Sequence, residues 1–184
     1  MYNANMKENV LKKINTRDMA YIALAIALNV VCAFLTIPGT VPFTLQTFSI
    51  FFTLEYLGGK KGAIAVWLYL FFGAVGLPFF SGFRGGFSVL LSATGGFLMA
   101  FAAVALLAFI LSFFKTPPFV RYIFAAVSLA LIYFGGCGWF VFIMGGTLKH
   151  ALLICVVPFI LPDVIKIALA YLLAARLNKI KQPS

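Results

Sequence analysis

The amino-acid sequence predicts an all-α integral membrane protein with about six transmembrane helices. Of its 184 residues, 64% are hydrophobic and 10% are charged, against about 45–50% and about 25% in soluble proteins. Long apolar tracts approach the roughly 20 residues needed to cross the hydrocarbon core of a bilayer. With Arg121 as their single charge, these tracts are Met19–Ile37, Ala63–Leu77, Thr94–Phe114 and Phe119–Phe134. A water-facing surface cannot be built from this composition, so the solvent is lipid.

The 14 lysine and arginine residues are distributed asymmetrically along the predicted helices. Eleven lie at helix ends that share one side of the membrane if the helices alternate in direction; Arg84, Lys149 and Lys166 lie toward the other side. The positive-inside rule then predicts that both termini are cytoplasmic. This distribution explains the net charge of +10 without a nucleic-acid partner.

Proline and glycine residues set the predicted helix boundaries. Residues 1–17 are predicted to be a cytoplasmic amphipathic lead-in, and residues 18–184 a single membrane domain. Residues 79–92 are expected to fold back as an outer lid, and residues 140–161 to form a re-entrant or interfacial segment. The six helices are predicted at Asp18–Ile37, Thr44–Tyr56, Gly62–Leu77, Ala93–Phe114, Phe119–Trp139 and Pro162–Asn178.

Asp163 and Lys166 are the strongest candidates for a functional role. An ionisable group at membrane depth costs at least roughly 2.5–3.5 kcal/mol and normally has a partner or a function. At positions i and i+3 the two side chains project from one helix face, where they neutralise each other or offer an acceptor and a donor to a polar ligand. The alternative is a structural pair at the helix start, with Asp163 favoured by the helix dipole.

A second candidate is an anion site at Arg84 in the predicted outer loop. Gly85 and Gly86 follow it, and their small size allows backbone N–H groups to approach a ligand closely. The alternative is an exposed interfacial arginine.

Four further residues are candidates because of their predicted positions. Phe43 and Trp139 lie at outer helix ends and could stack on a ligand, as could Tyr133, although aromatic residues in membrane proteins more often pack or anchor. Gln46 either caps its helix or faces the outer end of the bundle.

Motifs for catalysis, nucleotide binding and metal binding are not found in the sequence. Residues 58–62 lack the spacing of a phosphate-binding loop. The single His150 lacks the clustered ligands of a metal site, and the three cysteines lack metal-binding spacing. The sequence therefore predicts neither an enzyme nor a metalloprotein.

In the first predicted helix, Ala23 and Ala27 form a small-x-x-x-small pattern. Such spacing allows another helix to approach closely. The neighbouring helix belongs either to the same bundle or to a partner protein, because one sequence does not reveal which way a helix face points.

Several segments together resemble the BioY family, the biotin-binding S components of energy-coupling factor (ECF) transporters. The resemblance extends over nearly the whole chain after the lead-in. It includes the Ala23 and Ala27 pattern and the segments Pro38–Thr47, Gly73–Phe79, Thr94–Leu98, Tyr133–Trp139 and Pro158–Lys166.

The resemblance implies a six-helix S-component bundle in a prokaryotic plasma membrane. Such a protein captures biotin at the outer face, needs no cofactor, and docks on a coupling transmembrane subunit with two ATPase subunits. Ala23 and Ala27 would then meet the coupling subunit. The alternatives are an S component for another vitamin, such as riboflavin or thiamine, and a small channel or facilitator.

Under the same resemblance, Asp163 is expected to accept from a ureido N–H group of biotin and Lys166 to donate to the ureido oxygen. Arg84, with the Gly85 and Gly86 backbone, is expected to hold the valerate carboxylate.

Overall fold

The computed structural model describes residues 15–115 and 117–181. Nearly all of the predicted lead-in therefore lies outside the described residues. Within them, six helices have at least 12 residues: α1 (Thr16–Phe34), α2 (Gln46–Leu57), α3 (Gly59–Val75), α5 (Gly95–Leu111), α6 (Val120–Met144) and α8 (Ile160–Lys181). The smaller elements are strands β1 (Thr36–Ile37) and β2 (Phe43–Thr44) and helices α4 (Phe87–Leu90) and α7 (Leu148–Cys155).

The predicted membrane character is supported by both helix length and surface composition. Helices α1 and α6 are long and apolar enough to cross a membrane, and α7 with α8 would form a third span, bent by 46°. Large apolar side chains are exposed on the long helices, including Leu24 (66%), Phe134 (80%) and Leu172 (55%). Exposed apolar surface of this extent is incompatible with water as the surrounding solvent. The chain is therefore a mostly helical membrane protein.

Local capping chemistry explains where several helices begin and end. Asn15 and Asp18 form a capping box at the start of α1. The break between α2 and α3 is a single residue, Gly58, whose φ of 78° suits glycine. Helix α3 therefore begins at Gly59, three residues earlier than predicted, and α5 is shorter than predicted at both ends.

The prediction that the first helix continues to Ile37 is wrong, and the mostly helical fold contains one short hairpin at this point. Helix α1 ends at Phe34, after which Thr36 pairs with Thr44 and Ile37 with Phe43 in an antiparallel hairpin. Pro38 would disrupt the hydrogen bonds of a helix that continued through this segment. Pairing between the two strands supplies partners for the backbone N–H and C=O groups instead.

Residues 140–161 are more helical than predicted. Helix α6 continues five residues past Trp139 to Met144 and ends at Gly145, where φ is 70°. After α7, the chain turns and α8 begins at Ile160, so Pro162 lies in its first turn, where proline is tolerated. Helices α7 and α8 meet at a bend of 46°, and the predicted re-entrant or interfacial position of this segment stays a prediction.

Two cavities reveal that the long helices alternate in direction. One lies among residues near the starts of α2, α5 and α8 and the connections before them; we call this the loop end. The other lies among the ends of α2 and α5 and the starts of α3 and α6; we call this the turn end. Between the two ends, the core is formed by fully buried residues such as Phe51, Val66, Val104 and Ala170.

Candidate functional site

The candidate site is the cavity at the loop end, with a volume of about 70 Å³. Residues from the β2 strand, α2, the 76–94 connection, α5, α6, α7 and α8 all contribute to its lining. Five of the residues singled out in the sequence line it: Gln46, Arg84, Tyr133, Asp163 and Lys166. The fold thus brings together side chains that are up to 120 positions apart in the sequence (166 minus 46).

Asp163 and Lys166 form a buried ion pair at the polar end of this cavity. The Lys166 Nζ lies 2.9 Å from the Asp163 Oδ1, and the two side chains are only 8% and 6% exposed. Lys166 also donates to the Thr44 carbonyl at 2.8 Å, and Tyr133 donates to Asp163 Oδ2 at 3.0 Å. Each charge is thereby paired and hydrogen-bonded, which is what stable burial of charge requires.

Phe43 contributes to the site through Lys166. The Lys166 Nζ lies 3.8 Å from the centroid of the Phe43 ring, within cation–π distance. The Phe43 ring also stacks on Phe159 with a centroid separation of 6.0 Å, and Phe159 lines the cavity. Phe43 therefore contacts the Lys166 ammonium group and the lining residue Phe159 without lining the cavity itself.

Gln46 is buried and has its amide fixed at both ends. Its Nε2 donates to the Tyr69 hydroxyl at 2.7 Å, and its Oε1 accepts from the Thr44 hydroxyl at 3.1 Å. The side chain does not cap its own helix, since no side-chain hydrogen bond caps α2. Gln46 is instead a fixed polar group in the wall of the cavity.

Arg84 reaches the cavity from the 76–94 connection. Its Nε donates to the Ser81 carbonyl at 3.1 Å, while its terminal nitrogens make no hydrogen bond to the part of the chain that the structure describes. A guanidinium in this state offers the N–H groups of both terminal nitrogens to an anion.

The two glycines after Arg84 shape the loop and do not line the cavity. A Cβ atom on Gly85 would lie 2.1 Å from the Leu77 carbonyl oxygen. The Gly86 N–H donates to the Gly73 carbonyl at 2.7 Å, so that donor is already used. The geometry therefore favours the Arg84 side chain over the glycine backbone as the group that meets an anion.

Trp139 does not line the cavity either. Its Nε1 donates to the Ser92 carbonyl at 3.0 Å. Its side chain packs directly against Gly96, since a Cβ added to that glycine would lie only 2.2 Å from the Trp139 Cβ. Trp139 thus anchors the 76–94 connection where it enters α5.

The apolar walls were not identified from the sequence. They include Phe80, Phe97, Phe101, Ile132 and Phe159. A phenylalanine that faces a cavity has the same local pattern as one that faces lipid, so periodicity carries no signal for it. The nearest sequence signal is the Thr94-Gly95-Gly96 run, which precedes Phe97.

The Ala23 and Ala27 side chains are exposed on α1, whereas Ile22, Ala25 and Asn29 are buried. In this structure the two alanines therefore lie on the outer face of α1, away from the core. Ala20, Leu24 and Val31 are exposed on the same helix, so a strip of mainly small side chains is open to a neighbour in the membrane.

Comparison with known proteins gives concordant matches over nearly the whole chain. A model of the BioY family matches residues 6–182. The "Biotin transporter BioY" of Thermotoga maritima is 38% identical, over 90% of this chain and 98% of that protein. The "Probable biotin transporter BioY" of Pyrococcus horikoshii is 34% identical, with the same coverage of both chains.

A solved structure also matches. It is the 2.1 Å crystal structure described as the S-component for biotin from an ECF-type ABC transporter, and it superposes with a TM-score of 0.78 at 27% identity. The match covers 100% of this chain and 96% of the other.

Proposed function

The chain belongs to the BioY family, and from that membership we propose that it captures biotin with high affinity at the outer face of a prokaryotic plasma membrane and delivers it through an ECF transporter. It is a transport protein rather than an enzyme. Biotin is the cargo, and binding requires neither a cofactor nor a metal.

The buried Asp163–Lys166 pair at the end of an aromatic cavity carries this proposal. A ureido group presents N–H donors and a carbonyl acceptor on adjacent atoms. Asp163 supplies an acceptor for the first, and Lys166 a donor for the second. The phenylalanine walls match the apolar ring system and alkyl chain of biotin, and a few fixed polar groups supply orientation.

Arg84 supplies the complement to the opposite end of the ligand. Its free guanidinium nitrogens suit a carboxylate, and the loop that carries it closes one side of the cavity through Phe80 and Ser81. Ligand entry then requires this loop to move, since typical ligand pockets have volumes of about 300–1,000 Å³ and this cavity measures about 70 Å³. The loop acts as a lid that closes over bound biotin.

The proposed topology has six transmembrane helices in a single domain, with both termini in the cytoplasm. Alternation of the long helices places both described chain ends at the turn end, which carries Lys60, Lys61, Lys115 and Arg121. This concentration of positive charge supports the cytoplasmic assignment. The loop end, with the biotin site, then faces outward.

Uptake is proposed to depend on a coupling transmembrane subunit and two ATPase subunits. No nucleotide-binding motif is present in the sequence that could power transport. The exposed Ala23 and Ala27 side chains supply a surface on which a helix of the coupling subunit can pack closely.

Equilibrium binding to the purified protein tests the proposal against its rivals. Tight one-to-one binding of labelled biotin is expected, with riboflavin and thiamine unable to displace it. Displacement by either vitamin would assign a different cargo. Selective ion flux through the isolated protein in liposomes, without any vitamin binding, would establish the small channel instead.

A further inference from the structure

Tyr69 on α3 is fully buried, and its hydroxyl joins two parts of the loop end. It accepts from Gln46 Nε2 at 2.7 Å and donates to the Phe79 carbonyl at 3.3 Å. Gln46 lines the cavity, whereas Phe79 lies near the start of the loop that contains Arg84. A single hydroxyl therefore connects a side chain in the cavity wall with the backbone of this loop.

The Tyr69 ring holds the same loop by packing. It stacks on Phe79 at a centroid separation of 6.5 Å and meets Phe80 edge-on at 5.9 Å. One turn further along α3, Gly73 allows the Phe80 ring to lie against the helix, where a Cβ would be 2.3 Å from the ring. Gly73 also accepts from the Gly86 N–H at 2.7 Å. The loop is thus seated on one face of α3.

This seating fixes the position of Arg84. Phe80 N donates to the Arg84 carbonyl at 2.9 Å, so the backbone that bears the guanidinium is bonded directly to the residue packed against Gly73 and Tyr69. Movement of Phe79 and Phe80 would therefore carry Arg84 with it.

We propose that Tyr69 is a positioning residue for biotin binding. It holds the loop and Arg84 in place beside Gln46 without touching the ligand. A tyrosine that only filled the core could satisfy its hydroxyl with any two hydrogen-bond partners. The Tyr69 hydroxyl instead bonds to the Gln46 side chain, which lines the cavity, and to the Phe79 carbonyl, which belongs to the loop. It therefore couples ligand binding in the cavity to the position of the loop on α3. This inference rests on the proposed capture of biotin.

Tyr69→Phe tests the proposal, because it keeps the ring and removes both hydrogen bonds. We expect the biotin dissociation constant to rise about tenfold, mainly through faster dissociation, given the usual strength of a buried hydrogen bond. We also expect biotin and biotin amide to bind with more similar affinities than in the wild type, because Arg84 is no longer held in place. The matched control is Tyr122→Phe, at a residue that is 69% exposed.

A ligand-free measurement separates this inference from the proposed function. Hydrogen exchange of residues 79–86 in purified protein without biotin should be faster in Tyr69→Phe than in Tyr122→Phe. If the wild type does not bind biotin, the proposed function fails and this exchange experiment alone decides the role of Tyr69. Unchanged loop exchange, or an equal loss of affinity for biotin and its amide, would overturn the inference.

A second pair of variants tests the seating without altering the tyrosine. Gly73→Ala would force the Phe80 ring away from α3 and should reproduce the faster loop exchange and faster biotin dissociation. Gly138→Ala on α6 is the control, because its added Cβ would have no atom from outside its own stretch of helix within 4 Å. Equal behaviour of the two alanine variants would show that the loop is not held by this face of α3.

Discussion

Both ends of the bundle contain ion pairs between a carboxylate and a lysine or arginine, but the pairs differ greatly in how deeply they are buried. At the loop end, the side chains of Lys166 and Asp163 are 8% and 6% exposed. At the turn end, those of Lys61 and Asp18 are 42% and 23% exposed, and those of Arg121 and Glu55 are 36% and 24% exposed. Water and lipid headgroups can solvate the turn-end charges, whereas those at the loop end depend on one another.

This difference in burial accompanies a difference in what the ion pairs connect. The turn-end pairs link neighbouring helices, α1 with α3 and α2 with α6, and exposed pairs of this kind contribute about 0–1 kcal/mol. The loop-end pair lies within one helix, so it joins no helices by itself. Both members line the cavity, where the proposed function assigns them to the ligand.

Asp163→Asn should cause the largest loss of biotin affinity. The substitution keeps the shape of the side chain but replaces part of an acceptor with a donor, beside an ammonium group that then lacks its counter-charge. We expect biotin binding to weaken by about 2–5 kcal/mol, as measured by calorimetry. An unchanged affinity would remove Asp163 from the site.

Arg84→Ala should have the next largest effect, about 1.5–3 kcal/mol, the usual strength of a hydrogen bond to a charged group. The loss should be confined to ligands that carry the carboxylate. Biotin should therefore bind more weakly to the variant, while a biotin ester should bind almost equally to variant and wild type. An equal loss for both ligands would contradict the pairing of Arg84 with the carboxylate.

Glu55→Gln removes the acid of a turn-end pair and is the counterpart of Asp163→Asn. Because the pair is partly solvated, we expect the free energy of unfolding to fall by no more than about 1 kcal/mol. Biotin affinity should not change. A large loss of biotin affinity would show that the two ends are coupled, and the contrast drawn above would be wrong.

The double variant Ala23→Trp, Ala27→Trp should leave biotin affinity unchanged while abolishing assembly with the coupling subunit and ATP-driven uptake. The added bulk would lie outside the bundle, on the exposed strip of α1. Ala103→Trp, at an exposed alanine of α5, is the control and should assemble normally. Loss of biotin binding or of folding in the double variant would show that the strip packs internally.

Local chemistry made much of the fold predictable. Apolar tracts located the long helices, and glycine or proline marked most of their ends to within a few residues. The errors occur where tertiary pairing decides the outcome. Thr36 and Ile37 are apolar enough to extend a helix, yet they pair with residues eight and six positions further along the chain.

The sequence by itself determined the solvent, the helices and the polar pair of the candidate site, because charge within an apolar chain is too costly to be incidental. Only the tertiary structure decided which apolar side chains form the cavity, which face of α1 is open to a partner, and which residues seat the loop. Phe97 and Phe134 have similar apolar surroundings in the sequence, but one lines the cavity and the other is 80% exposed. That distinction depends on how the helices are rotated against each other, and the residues next to each phenylalanine in the sequence do not determine that rotation.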